Sequence, residues 1–192
     1  MGKSRIEAFS DGVLAIIITI MVLELRVPHD PTLDALGTLW PVITSYVLSF
    51  VYIGIYWNNH HHMFHAVRRV DGGVLWANLH LLFWLSLVPF VTAWMGENHF
   101  ATIPTAAYGV ILLMAGFAYR ILQKALIHGE GNDSLLATAV GSDVKGRLSL
   151  LLYLTAIPSA FVNRWLAGAI YVSVALVWLV PDRRIERMVD ER

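Results

Sequence analysis

From Phe9 to Val27 the chain reads FSDGVLAIIITIMVLELRV. Between its two acids, Asp11 and Glu24, runs an uncharged segment from Gly12 to Leu23 whose one polar side chain is Thr19. A bilayer-spanning helix needs about 20 predominantly apolar residues. The uncharged segment has only 12 residues, and the stretch approaches that length, at 19, only over the whole of Phe9–Val27 with both acids inside it. A carboxylate beside hydrocarbon is costly, so Asp11 and Glu24 are expected to face protein or water. The segment itself is apolar on every side, which marks a buried helix. Two arrangements satisfy both demands: a central helix in one chain, or copies of the helix gathered around a symmetry axis.

The rest of the chain supports a membrane setting. Of 192 residues, 57% are hydrophobic and 15% charged, against about 25% charged in soluble domains. Six spans are predicted, at 9–27, 39–57, 74–95, 101–119, 148–162 and 165–180. Together they form one six-helix membrane domain over residues 1–192, an all-α transmembrane bundle. The last two spans, separated by Asn163 and Arg164, read as a tight helical hairpin. Pro41, Pro89 and Pro158 fall inside predicted spans and are read as kinks that neighbouring helices satisfy. Trp57, Trp76, Trp94 and Trp165, near span ends, read as interfacial anchors. The polar segment from Gly129 to Gly146 reads as a loop with one helical turn around Leu135–Val140.

Charge sets the orientation. Lys3, Arg5, Arg68, Arg69, Arg120, Lys124, Lys145, Arg147, Arg183, Arg184, Arg187 and Arg192 fall on one side of the six-span model, leaving Arg26 and Arg164 on the other. By the positive-inside rule both termini are cytoplasmic, in the cell membrane. The N-terminal segment lacks a signal-peptide cleavage site, and Ile6 breaks the myristoylation pattern. The formal net charge is zero, so no overall field draws nucleic acid. With no cysteine in the chain, thiolate metal sites, disulfides and cysteine nucleophiles are excluded. No cofactor is expected.

At helical spacing Ile16, Thr19 and Leu23 share a stripe of the first span, with Ile20 beside it. A lone threonine in a membrane helix most often donates to its own i−4 carbonyl, here that of Ala15. Arg5 and Asp11 are too far apart for an i,i+4 pair, so each is expected to bond a neighbouring helix. Ser10 is expected to bond backbone or the second span. Glu24 has two readings of equal weight: an acid at an outer mouth, with Asp30 and Asp34, or an ion pair with Arg26.

The stretch Arg5-Ile6-Glu7-Ala8-Phe9-Ser10-Asp11 resembles the RxxxFSD signature that opens the first helix of the transmembrane protein 175 family of potassium channels. The resemblance continues through Ala15-Ile16, Thr19, Val22-Leu23-Glu24-Leu25 and Val27-Pro28. It extends to Tyr56-Trp57, Asn59-His60-His61, Phe64, Leu75-Trp76, Asn78-Leu79 and Leu87-Val88-Pro89-Phe90. It implies a channel for potassium and other monovalent cations, lined by the first helix of each subunit. The resemblance maps the constriction onto Ile16, Thr19 and Leu23 and makes Arg5, Phe9, Ser10 and Asp11 a structural signature of the pore helix. A one-unit chain implies a homotetramer surrounded by membrane lipid. The TVGYG filter of other potassium channels is absent.

The densest polar cluster is Asn58-Asn59-His60-His61-His62-Met63-Phe64-His65. Its i,i+4 pair His61/His65 and i,i+3 pair His62/His65 have spacings able to hold a metal on a helix. HExxH and other zinc hydrolase signatures are missing, and so are helix-borne acids beside the cluster. The expectation is therefore hydrogen bonds to the first helix or a proton-sensitive switch rather than a metal site, and the resemblance points to His60 or His61 within a polar network of His60, His61 and Asn78. His80 is expected to bond another helix. Two other classes remain: a metal-dependent membrane enzyme using His60–His65, and a proton-coupled transporter using Asp11 and Glu24.

Overall fold

Several helices in this chain begin where the first backbone donors are satisfied by a side chain or missing at a proline. The computed structural model describes residues 2–179 except 69, 132 and 142; expectations for Arg69 and for residues 180–192 lie outside the described residues. In order, the helices are α1 (Lys3–Leu23), α2 (Leu33–Thr38), α3 (Trp40–His65), α4 (Gly72–Ser86), α5 (Val88–Glu97), α6 (Thr102–Glu130), α7 (Leu135–Val140), α8 (Val144–Val162) and α9 (Arg164–Leu179). Side chains of Thr32, Asp71, Ser134 and Asp143 cap α2, α4, α7 and α8 by accepting from backbone N–H groups. Among the described residues, four helical segments are long and apolar enough to cross a bilayer: Lys3–Leu23, Trp40–His65, Gly72–Glu97 and Thr102–Glu130. Arg164–Leu179 is a shorter apolar helix.

Several expected boundaries are corrected. The first helix starts at Lys3 and stops at Leu23, where Glu24 donates its N–H to Ile20 O. Pro28 then disfavours helix in the residue before it. The second continues through the whole histidine cluster to His65, because backbone hydrogen bonding does not end where apolar side chains do. The fourth likewise reaches Glu130, where Gly131 turns out of the helix at φ +99°. The third is divided at Leu87: Pro89 has no N–H to give α4, so α5 begins there. Pro41 lies in the first turn of α3 and Pro158 alone sits inside its helix, α8. The turn expected at Leu135–Val140 is α7.

α1 packs on α3, α4 and α5, while α6 packs on α4, α5, α8 and α9. One apolar cluster joins α1, α3, α4, the C-terminal half of α6 and α7 around Leu14, Ile17, Phe64, Leu81, Leu122 and Leu136. A second joins α3, α5, α6, α8 and α9 around Tyr52, Tyr108, Tyr153 and Tyr171. Ala156, Ala160, Ala167 and Gly109 let these helices approach closely. α8 and α9 form the expected hairpin: Asn163 is extended, and its Oδ1 accepts from Trp165 N at 2.9 Å.

Candidate functional site

α1 is packed on one side only. Ile6, Ser10, Leu14, Ile17 and Met21 are buried, Met21 to 2% exposure. At about 100° per residue, Thr19 lies about 180° from the mean direction of those five. Flanking it, Ile16 is 60% exposed and Leu23 76%. Ala8, Gly12 and Ala15 share this outward side, and a Cβ on Gly12 would meet nothing within 4 Å. The stripe expected at Ile16, Thr19 and Leu23 is thus the part of α1 that its own chain leaves uncovered. Thr19 Oγ1 donates to Ala15 O at 2.8 Å, as expected of a lone threonine. Its proton is committed, and its oxygen lone pairs remain free to accept.

The buried side of α1 is fastened at its N-terminal half. Ser10 is fully buried, and Asn78 Nδ2 of α4 donates to its Oγ at 2.9 Å. Asn78 Oδ1 accepts from His60 Nε2 of α3 at 2.8 Å, and the His60 ring stacks on Phe64. A buried amide is costly without partners, and here it ties three helices together. The partner of Ser10 is therefore on the third predicted span, not the second. The network takes in His60 and Asn78 but not His61, which is exposed. One residue of helical register turns His61 away by about 100°.

Asp11 bonds a neighbouring helix, as expected: Trp57 Nε1 of α3 donates to its Oδ1 at 3.0 Å. The sequence analysis did not name that partner, for which a carboxylate at one span's edge and a tryptophan at another's were the available signal. Lys3 Nζ donates to Val67 O at 3.1 Å, a link missed because sequence pattern does not reveal a backbone acceptor. Arg5 is exposed and, among the described residues, its side chain has no hydrogen-bond or ion-pair partner; the expected bond to a neighbouring helix is not made. Phe9 is exposed beside it. Trp57 also stacks on His61 at 5.9 Å between ring centres, and His61 lies 4.3 Å from His65.

At the opposite end Arg26 pairs with Glu97 at 3.2 Å, not with Glu24. Glu24 is exposed and lines an open pocket with Ile20, Pro89, Phe90 and Glu97. His80 accepts from Trp84 Nε1 one turn along its own helix at 2.9 Å, rather than bonding another helix. Among the described residues no group of three or more histidines or acids is disposed to hold a metal ion.

The family described as endosomal/lysosomal potassium channel TMEM175 matches residues 5–89. A protein of Chryseobacterium sp. (strain P1-3) named a potassium channel is 51% identical over 191 residues, covering 100% of both chains. Another so named, from Chamaesiphon minutus, is 34% identical over 187 residues, covering 90% of this chain and 91% of its own. The crystal structure of a lysosomal potassium-selective channel TMEM175 homolog from Chamaesiphon minutus superposes with a TM-score of 0.83 at 32% identity, over 94% of this chain and 97% of that one. The mouse endosomal/lysosomal proton channel TMEM175 is 30% identical over 147 residues, which is 67% of this chain but 29% of the mouse protein. These matches join the fold to the α1 signature: the chain belongs to the TMEM175 family, a family of ion channels and not of enzymes.

Proposed function

We propose that the chain is one subunit of a potassium-preferring monovalent cation channel, with α1 of each subunit lining the ion path. The observation that carries this is the position of Thr19, opposite the buried side of α1 and flanked by exposed Ile16 and Leu23. The names of the bacterial relatives and the likeness to a potassium-selective channel support it. In this reading α4 and α5 make one span and α8 and α9 two short ones. The chain then crosses the cell membrane six times as a single domain, with both termini cytoplasmic. Four subunits surround the axis, and lipid surrounds the subunits.

Rings of Ile16 and Leu23 make two apolar constrictions that gate by dewetting. A cation passing them sheds part of its hydration shell, which costs potassium less than the smaller, more tightly hydrated sodium. The Thr19 oxygens, with lone pairs turned from their own donor bond, replace part of the lost water. Glu24, with Asp30 and Asp34, raises the local cation concentration at the outer mouth. Arg5, Phe9, Ser10 and Asp11 hold the pore helix in place.

The test is ion flux into liposomes carrying the purified protein, with potassium, sodium and proton gradients in separate runs; the proton run answers to the mouse relative's name. Thr19→Ala and Leu23→Ala are expected to change the potassium-to-sodium ratio, whereas Leu14→Ala, on the buried side, alters stability first. Unchanged flux and selectivity in Ile16→Ala, Thr19→Ala and Leu23→Ala together refute the assignment.

A further inference from the structure

We propose that the inner end of α3 carries a binding site for a late first-row divalent metal ion, formed by His61 and His65, and that its occupancy acts on α1 through Trp57. The two histidines lie one helical turn apart on the same side of α3. Both are exposed, and their ring centres are 4.3 Å apart. Two imidazole nitrogens bound to one ion at about 2.0–2.1 Å, with a tetrahedral or square bite, bring their ring centres to about 4.5–5 Å. A shift of less than about 1 Å thus brings the pair to ligating distance, within what side-chain rotation supplies.

The neighbouring histidines are committed elsewhere. His60 is buried with its Nε2 on Asn78, and His62 is half-buried and engaged in contacts of its own. Neither ring of His61 nor of His65 is used in a hydrogen bond among the described residues. No third histidine or acid among the described residues completes a cage, so water fills the remaining positions. Such a site exchanges its ion readily, as a regulator requires and a structural metal does not. Imidazole selects copper, nickel or zinc over magnesium or calcium.

Coupling to α1 follows from stacking. His61 lies nearly parallel to Trp57 at 5.9 Å, and Trp57 donates to Asp11 of α1. An ion that fixes the His61 ring toward His65 reorients the surface on which the Trp57 indole rests, and it sets a positive charge near the Asp11 carboxylate. The binding step stands without any assumption about conduction; only the effect on flux rests on the proposed channel function.

The experiment is isothermal titration of the detergent-solubilised protein, purified without a polyhistidine tag, with copper, nickel, zinc, magnesium and calcium chlorides. One ion per chain is expected, with copper tighter than nickel and no uptake of magnesium or calcium. His61→Ala and His65→Ala should each weaken nickel binding by at least the roughly 10–100-fold that loss of a mere supporting partner costs. His62→Ala should bind as wild type. All three positions lie at a helix surface, and an unchanged circular dichroism spectrum checks folding. No nickel uptake by wild type, or equal uptake by His61→Ala and His65→Ala, overturns the site. In liposomes, nickel on the inner face should change flux in wild type and not in Trp57→Phe, which keeps the site and loses the donor to Asp11. Equal nickel responses in those two overturn the coupling, while a chain that conducts nothing overturns the channel assignment and leaves the titration result standing.

Discussion

Replacing Asn78 with alanine removes the amide that joins α1, α3 and α4. The substitution breaks two hydrogen bonds, of 2.9 Å to Ser10 Oγ and 2.8 Å to His60 Nε2, and strands two groups in residues that are 0% and 2% exposed. Each bond contributes about 1 kcal/mol net, and each stranded buried group costs about 1–3 kcal/mol. Interhelical hydrogen bonds in membranes average nearer 0.6 kcal/mol, which pulls the total to the lower part of that range. A loss of about 2–4 kcal/mol is expected for Asn78→Ala. Ser10→Ala strands only the Asn78 N–H and should cost about 1–2 kcal/mol. The double variant should fall short of additivity by about 0.5–1.5 kcal/mol, since the shared bond is lost once. The assay is reversible unfolding in mixed micelles by sodium dodecyl sulfate, followed by far-ultraviolet circular dichroism. An Asn78→Ala cost below about 0.5 kcal/mol, or strictly additive variants, refutes the claim that this amide fastens α1.

Two further outcomes test packing on either side of α1 and in the second cluster. A Cβ on Gly109 would collide with the Tyr171 hydroxyl and come within 3.1 Å of Ile157 Cγ1; Gly109→Ala should cost about 1–3 kcal/mol in the same assay, while Gly54→Ala, with nothing within 4 Å, should not destabilise. Gly12→Leu also meets open space in its own chain, so it should leave folding intact and lower the number of chains per particle in native mass spectrometry. An unchanged particle mass would tell against copies meeting along this side of α1.

Much of the architecture was legible because long apolar runs mark helices. The positions of α1, α3, α6 and the α8–α9 hairpin follow from that, while the small α7 was read from a short apolar stretch inside a polar loop. Helix ends were less legible. α3 and α6 run 8 and 11 residues past their predicted ends, since polar residues remain helical once outside hydrocarbon. The break at Leu87 was read only as a kink, because sequence does not say whether a proline bends a helix or restarts it. Within the site, spacing put Ile16, Thr19 and Leu23 on one stripe of α1, but a segment apolar on every side did not say which stripe its own chain leaves open; the resemblance singled this one out. The choice between His60 and His61 was not drawn, although Ser45, Ser49, Tyr52, Ile53, His60 and Phe64 share the buried side of α3 and place His60 in register with it. The partner of Arg26 depended on how α5 ends in space, which residue order does not reveal.

The ties on α1 are unevenly placed. Lys3, Ser10 and Asp11 hold its N-terminal half to α3, α4 and the loop after α3, while beyond Leu23 the described polar tie is the exposed Arg26–Glu97 pair. The helix is in effect a lever, pinned by polar ties at its root and held toward its tip by the apolar packing of Ile17 and Met21 alone. From Ser10 to Leu23 the lever is about 20 Å long at about 1.5 Å per residue, so a tilt of about 5° at the clamp sweeps the Leu23 side chain by nearly 2 Å. Ile16, at less than half that reach, moves less than half as far. In the proposed channel, any stimulus that rocks this lever therefore widens or narrows the Leu23 ring more than the Ile16 ring.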